Sequence, residues 1–288
     1  MSRIEKAMEK AAQLRNVLGG SEVIHEVKMD TSQQPTRLHV PPPPIDNDEI
    51  KPQIQNPLLA TLCDPHSLVS EEYRKLKSAV ISFAQQDEFK NVIMVTSSVS
   101  CEGKSLVALN LAVTLAQEYD HTVLLVDADL RKPSSHVYLG LKPEKGLSDY
   151  LSGESSLSDI LIKTGVGRLS LLPAGTPLRN PVELFSSQKM KEFISEIKNR
   201  YPDRFIIIDT PPVLPFAELR SLTALADGVL FVIREGAVTP ENISEALHAL
   251  DGSKLIGAVY NDASTVSQDK HSHYYYYGHG KSGQQTTA

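Results

Sequence analysis

TSSVSCEGKSLVALNLA, residues 96–112, follows a short apolar run and opens a helix-length apolar segment. A strand, a glycine-bearing loop and a helix, in that order, are the context a phosphate loop requires. N–H groups at the start of a helix point toward an anion, and the helix dipole adds a favourable field. In such a loop the backbone from Ser100 through Cys101, Glu102 and Gly103 to Leu106 would wrap the phosphates. Lys104 would reach the β- and γ-phosphates, and the Ser105 hydroxyl would ligate Mg²⁺. Ser98 stands where the pattern G-x-x-x-x-G-K-[ST] has its first glycine. Taken alone, the GKS tripeptide is also compatible with an ordinary loop before a helix.

Two further segments narrow that choice. VLLVDADLRKP, residues 123–133, places Asp127 and Asp129 at the C-terminal end of a strand, and FIIIDTPP, residues 205–212, does the same for Asp209. In a parallel sheet the strand C-termini line the ligand crevice. Carboxylates there coordinate magnesium, orient water or accept a proton. A single Asp after a strand is commonly a turn residue or a helix cap. Three of them on two strands, with GKS on a third, point to nucleotide hydrolysis or phosphoryl transfer.

Around these motifs, short runs rich in β-branched residues occur at Val92–Thr96, Val123–Val126, Leu169–Leu172, Phe205–Ile208, Val229–Ile233 and Leu255–Tyr260. Helix-length segments at 104–118, 187–200, 216–226 and 240–250 separate most of them. Strands alternating with helices predict an α/β fold, a mostly parallel sheet flanked by helices on both faces. The expected division is an N-terminal helix and Pro-rich linker over 1–66, a phosphate-loop domain over 67–262 and a flexible tail over 263–288. Residues 1–66 contain no Phe, Tyr or Trp, and 35–65 hold eight of the eighteen prolines. Such a stretch buries too little apolar surface to offset its ordering entropy. Ile4, Met8, Ala11, Leu14 and Leu18 recur at helical spacing, as a solvated helix or as one that docks on a partner or a membrane surface.

Net charge is -6 and hydrophobic content 41%. That balance gives no reason to expect nucleic acid as a partner. No run approaches 18 apolar residues, and the N-terminus lacks the apolar core of a secretory signal. Cys63 and Cys101 supply no disulfide framework, so the cytoplasm is the expected compartment.

At these motifs the chain resembles the bacterial tyrosine kinases, P-loop proteins of exopolysaccharide and capsule biosynthesis. The likeness covers roughly residues 67–277. It is carried by the phosphate loop, LLVDADLRKP, IIIDTPP, LLPAGTPLRNPVELF (171–185) and the tyrosine run near the end. The short N-terminal segment MSRIEKAMEKAAQLR is similar to that of stand-alone forms encoded in exopolysaccharide gene clusters. The resemblance implies a P-loop NTPase fold, ATP and Mg²⁺, and autophosphorylation at Tyr274, Tyr275, Tyr276 and Tyr277. It implies that Lys104 and Ser105 bind phosphates and metal, that Asp129 and Asp209 hold the metal and that Asp127 accepts the tyrosine proton. Arg131 and Lys132 would neutralise phosphate charge or form a surface ion pair, and Asn261 would meet the adenine base. The family's E-x-x-R-x-x-R motif, implied in ring-like self-assembly, falls on Glu71, Arg74 and Lys77, where the last Lys replaces Arg. The implied partners are other copies of the chain and an inner-membrane chain-length protein, through which the kinase would sit at the membrane periphery.

One departure concerns the loop itself, where family members carry Pro-Gly in place of Ser100-Cys101. If that glycine is left-handed, a cysteine there costs about 1–2 kcal/mol. Three other readings stay open. A partition- or division-site ATPase switch shares the fold but uses an extra lysine where this chain has Val99. A non-catalytic scaffold would need none of Lys104, Ser105 and the three Asp. HSHYYYYGHG is also compatible with low-complexity sequence or with a weak metal binder through His271, His273 and His279.

Overall fold

The computed structural model describes residue 54 and residues 56–264, apart from 86–88, 119–120, 179–180, 201–202 and 217–218. The N-terminal helical pattern, Pro41–Pro44 and the tyrosine run lie outside the described residues.

Among the described residues seven strands form one sheet: β1 (Val92–Ser97), β2 (Thr122–Asp127), β3 (Ile162–Lys163), β4 (Leu169–Leu172), β5 (Arg204–Asp209), β6 (Gly228–Arg234) and β7 (Leu255–Asn261). Their order is β3-β4-β2-β5-β1-β6-β7. Every pairing is parallel except that of β3 with β4. The six predicted strands are all present, each within a residue or two of its expected ends. Two-residue β3 is too short to leave a periodic signal.

The central strands are buried on both faces, and strand alternation divides their side chains between two cores. Val92, Met94, Leu124, Val126, Ile206, Ile208 and Phe231 face one core. Ile93, Val95, Val123, Leu125, Phe205, Ile207 and Val232 face the other. The first core is closed by Leu147 and Leu151, by Phe193 and Ile197 of the helix Gln188–Arg200, and by Ala246 of the helix Pro240–Ala249. The second is closed mainly by the helix Lys104–Ala116, in which every residue but Lys104 and Leu106 is buried. A helix apolar almost all round has to run through a core.

A buried amide in that helix ties down the chain that precedes residue 64. Asn110 donates to the Leu58 carbonyl at 3.1 Å and accepts from the Thr61 N–H at 3.3 Å and hydroxyl at 3.0 Å. Leu59 is fully buried, and a short helix, Ala60–Cys63, packs beside it. Next comes the helix Leu68–Ala84, whose N-cap Ser67 accepts from the Ser70 N–H at 3.2 Å. Among the described residues no helix is long and apolar enough to cross a membrane.

Candidate active site

β1, β2 and β5 lie side by side in the middle of the sheet, so their C-terminal ends converge. β1 delivers the loop 98–103, which turns into the buried helix at Lys104. Gly103 makes that turn at φ 88°, and a Cβ there would lie 2.1 Å from Asn261 Nδ2. Only glycine satisfies both the backbone angle and the approach. Cys101 sits at φ 69°, so the left-handed conformation expected for the family's glycine is held here by a side chain that disfavours it.

Side chains from distant segments hold this loop. Buried Glu102 accepts from the Val99 N–H at 2.8 Å and the Arg234 N–H at 3.4 Å. Asn261 donates to the Glu102 carbonyl at 2.9 Å. Arg234 donates to the Cys101 carbonyl at 3.4 Å. Asn261, expected at the adenine base, thus lies against the phosphate loop. The parts of Glu102 and Arg234 were missed, because no local pattern marks a contact spanning more than a hundred residues.

The cationic centre is Lys104, partly buried, whose Nζ donates to Asp129 Oδ2 at 2.8 Å and lies 3.5 Å from the Ser105 hydroxyl. Burial alone disfavours its charge, but Asp209, Asp129 and Asp127 together outweigh that and raise its pKa. The residue expected to reach phosphates therefore rests on a carboxylate.

The three aspartates are treated very differently by their surroundings. Asp127 and Asp209 are direct partners in the β2–β5 register. Both are fully buried. Asp127 accepts from the N–H groups of Asp129 at 3.3 Å, Ser134 at 3.1 Å and Ser135 at 3.0 Å. No backbone N–H reaches either oxygen of Asp209, and no donor meets hydrogen-bond geometry to them, although the Ser105 hydroxyl is close enough to favour the charged form. Burial pushes the Asp209 carboxyl up to about 7, Lys104 opposes that, and Asp127 adds to it. Burial also raises Asp127, against the opposing N–H bonds from Ser135 and Ser134. A desolvated carboxylate without a donor is a costly arrangement, and a cation beside it relieves the cost.

The remaining predicted residues fall nearby or elsewhere. The Arg131 guanidinium stacks 4.3 Å from the centroid of Phe216, and the Lys132 N–H donates to Asp129 Oδ1 at 3.0 Å. Ser100 lies within the loop and Leu106 in the first turn of the helix that follows it. Glu71 and Arg74 pair with each other at 2.8 Å on the exposed face of their helix. Lys77 pairs with Glu118 of its own chain, so the three residues do not form one open patch.

A family model described as an AAA domain matches residues 90–255, more than half of the chain. The tyrosine-protein kinase YwqD of Bacillus subtilis is 40% identical over 219 residues, which span 75% of this chain and 90% of that protein. The kinase domain of Escherichia coli tyrosine kinase ETK superposes with a TM-score of 0.66 at 29% identity, covering 72% of this chain and 82% of that one. The division-site protein MinD of Pyrococcus horikoshii, solved with Mg-ADP, reaches a TM-score of 0.50 at 24% identity, covering 59% of this chain and 69% of that one; it shares the fold alone. Similarity to kinases is thus both higher in identity and wider in coverage than similarity to the switch ATPases. The convergent strand ends, the phosphate loop and these relatives agree: the chain belongs to the bacterial tyrosine-protein kinases, on an AAA-type P-loop domain.

Proposed function

We propose that this protein is an ATP-dependent tyrosine autokinase of exopolysaccharide biosynthesis and export, with Tyr274, Tyr275, Tyr276 and Tyr277 of its own tail as acceptors. The observation that carries the reading is the buried carboxylate of Asp209, held by no backbone N–H, in register with Asp127 and within electrostatic reach of Lys104 and the Ser105 hydroxyl.

Phosphoryl transfer through a loose transition state asks the protein mainly for positioning and charge stabilisation. The backbone from Ser100 to Leu106 would cradle phosphates at the helix N-terminus. Lys104 would leave Asp129 to stabilise charge on the transferring group. Asp127, held rigid by backbone N–H groups, would accept the phenolic proton. A phenol of pKa ~10 needs little prior deprotonation in such a reaction. Arg131 would add positive charge at the mouth, and Asn261 would reach the base from its seat on the loop.

A magnesium ion fits the residues present. Ser105, Asp129 and Asp209 offer hydroxyl and carboxylate oxygens, the hard donors Mg²⁺ prefers. Among the described residues no three His, Cys, Asp or Glu side chains converge as a metal cage. Mg²⁺ needs none, since it keeps waters and phosphate oxygens in its shell. When bound, it supplies neutralisation of phosphate charge.

Asn261 to Tyr274 is 13 residues, a reach of at most ~45 Å, enough to enter a neighbouring subunit's site in a ring. Each phosphotyrosine adds about -1.5 to -2 charges, so four would repel the tail from Asp127, Asp129 and Asp209. Glu71 and Arg74 are the exposed candidates for subunit contact, and an inner-membrane chain-length protein is the candidate activator. The test is incubation of purified protein with labelled ATP and Mg²⁺, phosphotyrosine mapping, and solution mass beside a variant with all four tyrosines changed to Phe. Label on the tail and loss of assembly in the wild type alone are expected. ATP hydrolysis without phosphotyrosine would replace the kinase with a molecular switch.

A further inference from the structure

Cys101 and Asp262 are the two non-glycine residues with positive φ among the described residues, at 69° and 54°. One is in the phosphate loop and the other directly follows β7. A single side chain bridges them: Arg234 donates through Nε and Nη2 to Asp262 Oδ2 at 3.0 and 2.7 Å, and through Nη1 to the Cys101 carbonyl at 3.4 Å. Strained backbone of this kind persists only where surrounding contacts over-determine it. We propose that Arg234 is a positioning residue of the phosphate loop, bracing Cys101 in the left-handed conformation and thereby setting nucleotide affinity.

The supporting contacts converge on the same few peptide groups. Arg234 ends β6 in register with Asn261 of β7, so both strands present their last residues to the loop. Glu102, fully buried, ties its carboxylate to the Val99 N–H and to the backbone N–H of Arg234 itself. Asn261 holds the Glu102 carbonyl at 2.9 Å. The loop is thus fastened at residues 101 and 102 from the ends of β6 and β7, and Glu102 in turn holds Val99. Of these fastenings, only the Arg234 guanidinium reaches the residue whose own preference opposes the observed angle. Its planar fork suits the task, because two N–H groups can serve one carboxylate while another points elsewhere; a lysine ammonium lacks that geometry. Arg234 touches none of Lys104, Asp127, Asp129 or Asp209 in the contacts described above, so its effect on the reaction would pass through the loop.

The inference rests on the loop being a nucleotide site, and the experiment separates the two. Binding of a fluorescent ADP analogue with Mg²⁺ is titrated on the full chain for wild type, Arg234→Ala, Arg234→Lys, Cys101→Gly and the double variant Cys101→Gly/Arg234→Ala. Arg234→Ala should weaken binding about tenfold, and Arg234→Lys nearly as much, with little change in the urea midpoint because the pair with Asp262 is exposed. Cys101→Gly should bind a few-fold tighter than wild type, since glycine adopts positive φ without strain. In the glycine background Arg234→Ala should cost no more than about twofold, the non-additivity expected of two residues acting on one strained peptide. Equal weakening in both backgrounds, or none in either, overturns the brace while leaving the nucleotide site intact. If wild type and Cys101→Gly both fail to bind the analogue, the brace falls together with the nucleotide site.

Discussion

The ends of β2 and β5 place the same residue type at the same level of the sheet and surround it in opposite ways. Asp127 and Asp209 are register partners, both without solvent exposure. The chain after Asp127 folds back at once, and the N–H groups of Asp129, Ser134 and Ser135 all turn onto its carboxylate. After Asp209 come Thr210, Pro211 and Pro212. The Thr210 N–H goes to the Val95 carbonyl, and proline has no N–H to offer. One carboxylate is therefore an anchored part of the backbone, and the other is left for a cation. The segment after a strand, more than the strand itself, decides what an aspartate at its end can do.

The largest effect expected is that of Lys104→Met. Lys104 is the cation opposing the raised pKa of Asp209 and the direct partner of Asp129. Losing a charge aimed at the reacting group costs about 10²–10³ in rate. Phosphotyrosine in the purified variant should fall at least about 100-fold, and a normal level would mean that the loop after β1 is not the site.

Asparagine substitutions at the two strand ends would sharpen the contrast. In Asp127→Asn the amide cannot accept on both sides, so a buried backbone donor loses its partner, and stability should drop by about 1–3 kcal/mol. Asp209→Asn removes a buried carboxylate that no backbone N–H holds, so the urea midpoint without Mg²⁺ should stay level or rise. If the two variants lost equal stability, the difference in surroundings would have no energetic meaning.

A smaller effect is expected from pH. Asp209 titrates at about 7 when folded, against 3.8 ordinarily, and Asp127 is shifted in the same direction, burial being the main cause of both. The native state holds these protons more tightly than the unfolded chain. Their contribution is thus fully present below about pH 4 and is lost as pH rises through the folded values. In Mg²⁺-free buffer the wild type should lose about 1 kcal/mol relative to Asp209→Asn between pH 6 and 7.5. Parallel pH profiles for the two proteins would contradict this.

Most of the candidate site was legible because each part is local. GKS at a helix start, an aspartate ending an apolar run and a proline pair after one of them are all patterns within about ten residues. The contrast between Asp127 and Asp209 was itself foreshadowed by Pro211 and Pro212, although only the folded chain shows which N–H groups turn back onto Asp127. The packing of Leu58 to Thr61 was not legible, for the same reason in reverse. Proline content and lack of aromatics before residue 66 suggest a linker, and the signal for packing lay elsewhere, in Asn110 interrupting an apolar helix. A buried amide needs partners, and Leu58 and Thr61 supply them.

By itself the sequence determined the alternation of strands and helices, the strand ends that carry Asp127, Asp129 and Asp209, and the loop leading to Lys104. Tertiary structure alone decided that β6 and β7 would end beside that loop, so that Arg234 and Asn261 hold Cys101 and Glu102 from 133 and 159 residues away. It also turned Lys77 toward Glu118 and away from the Glu71–Arg74 pair. The physical reason is that hydrophobic periodicity records which face of an element is buried, whereas such contacts depend on the order in which strands assemble, β3-β4-β2-β5-β1-β6-β7, which no local period encodes.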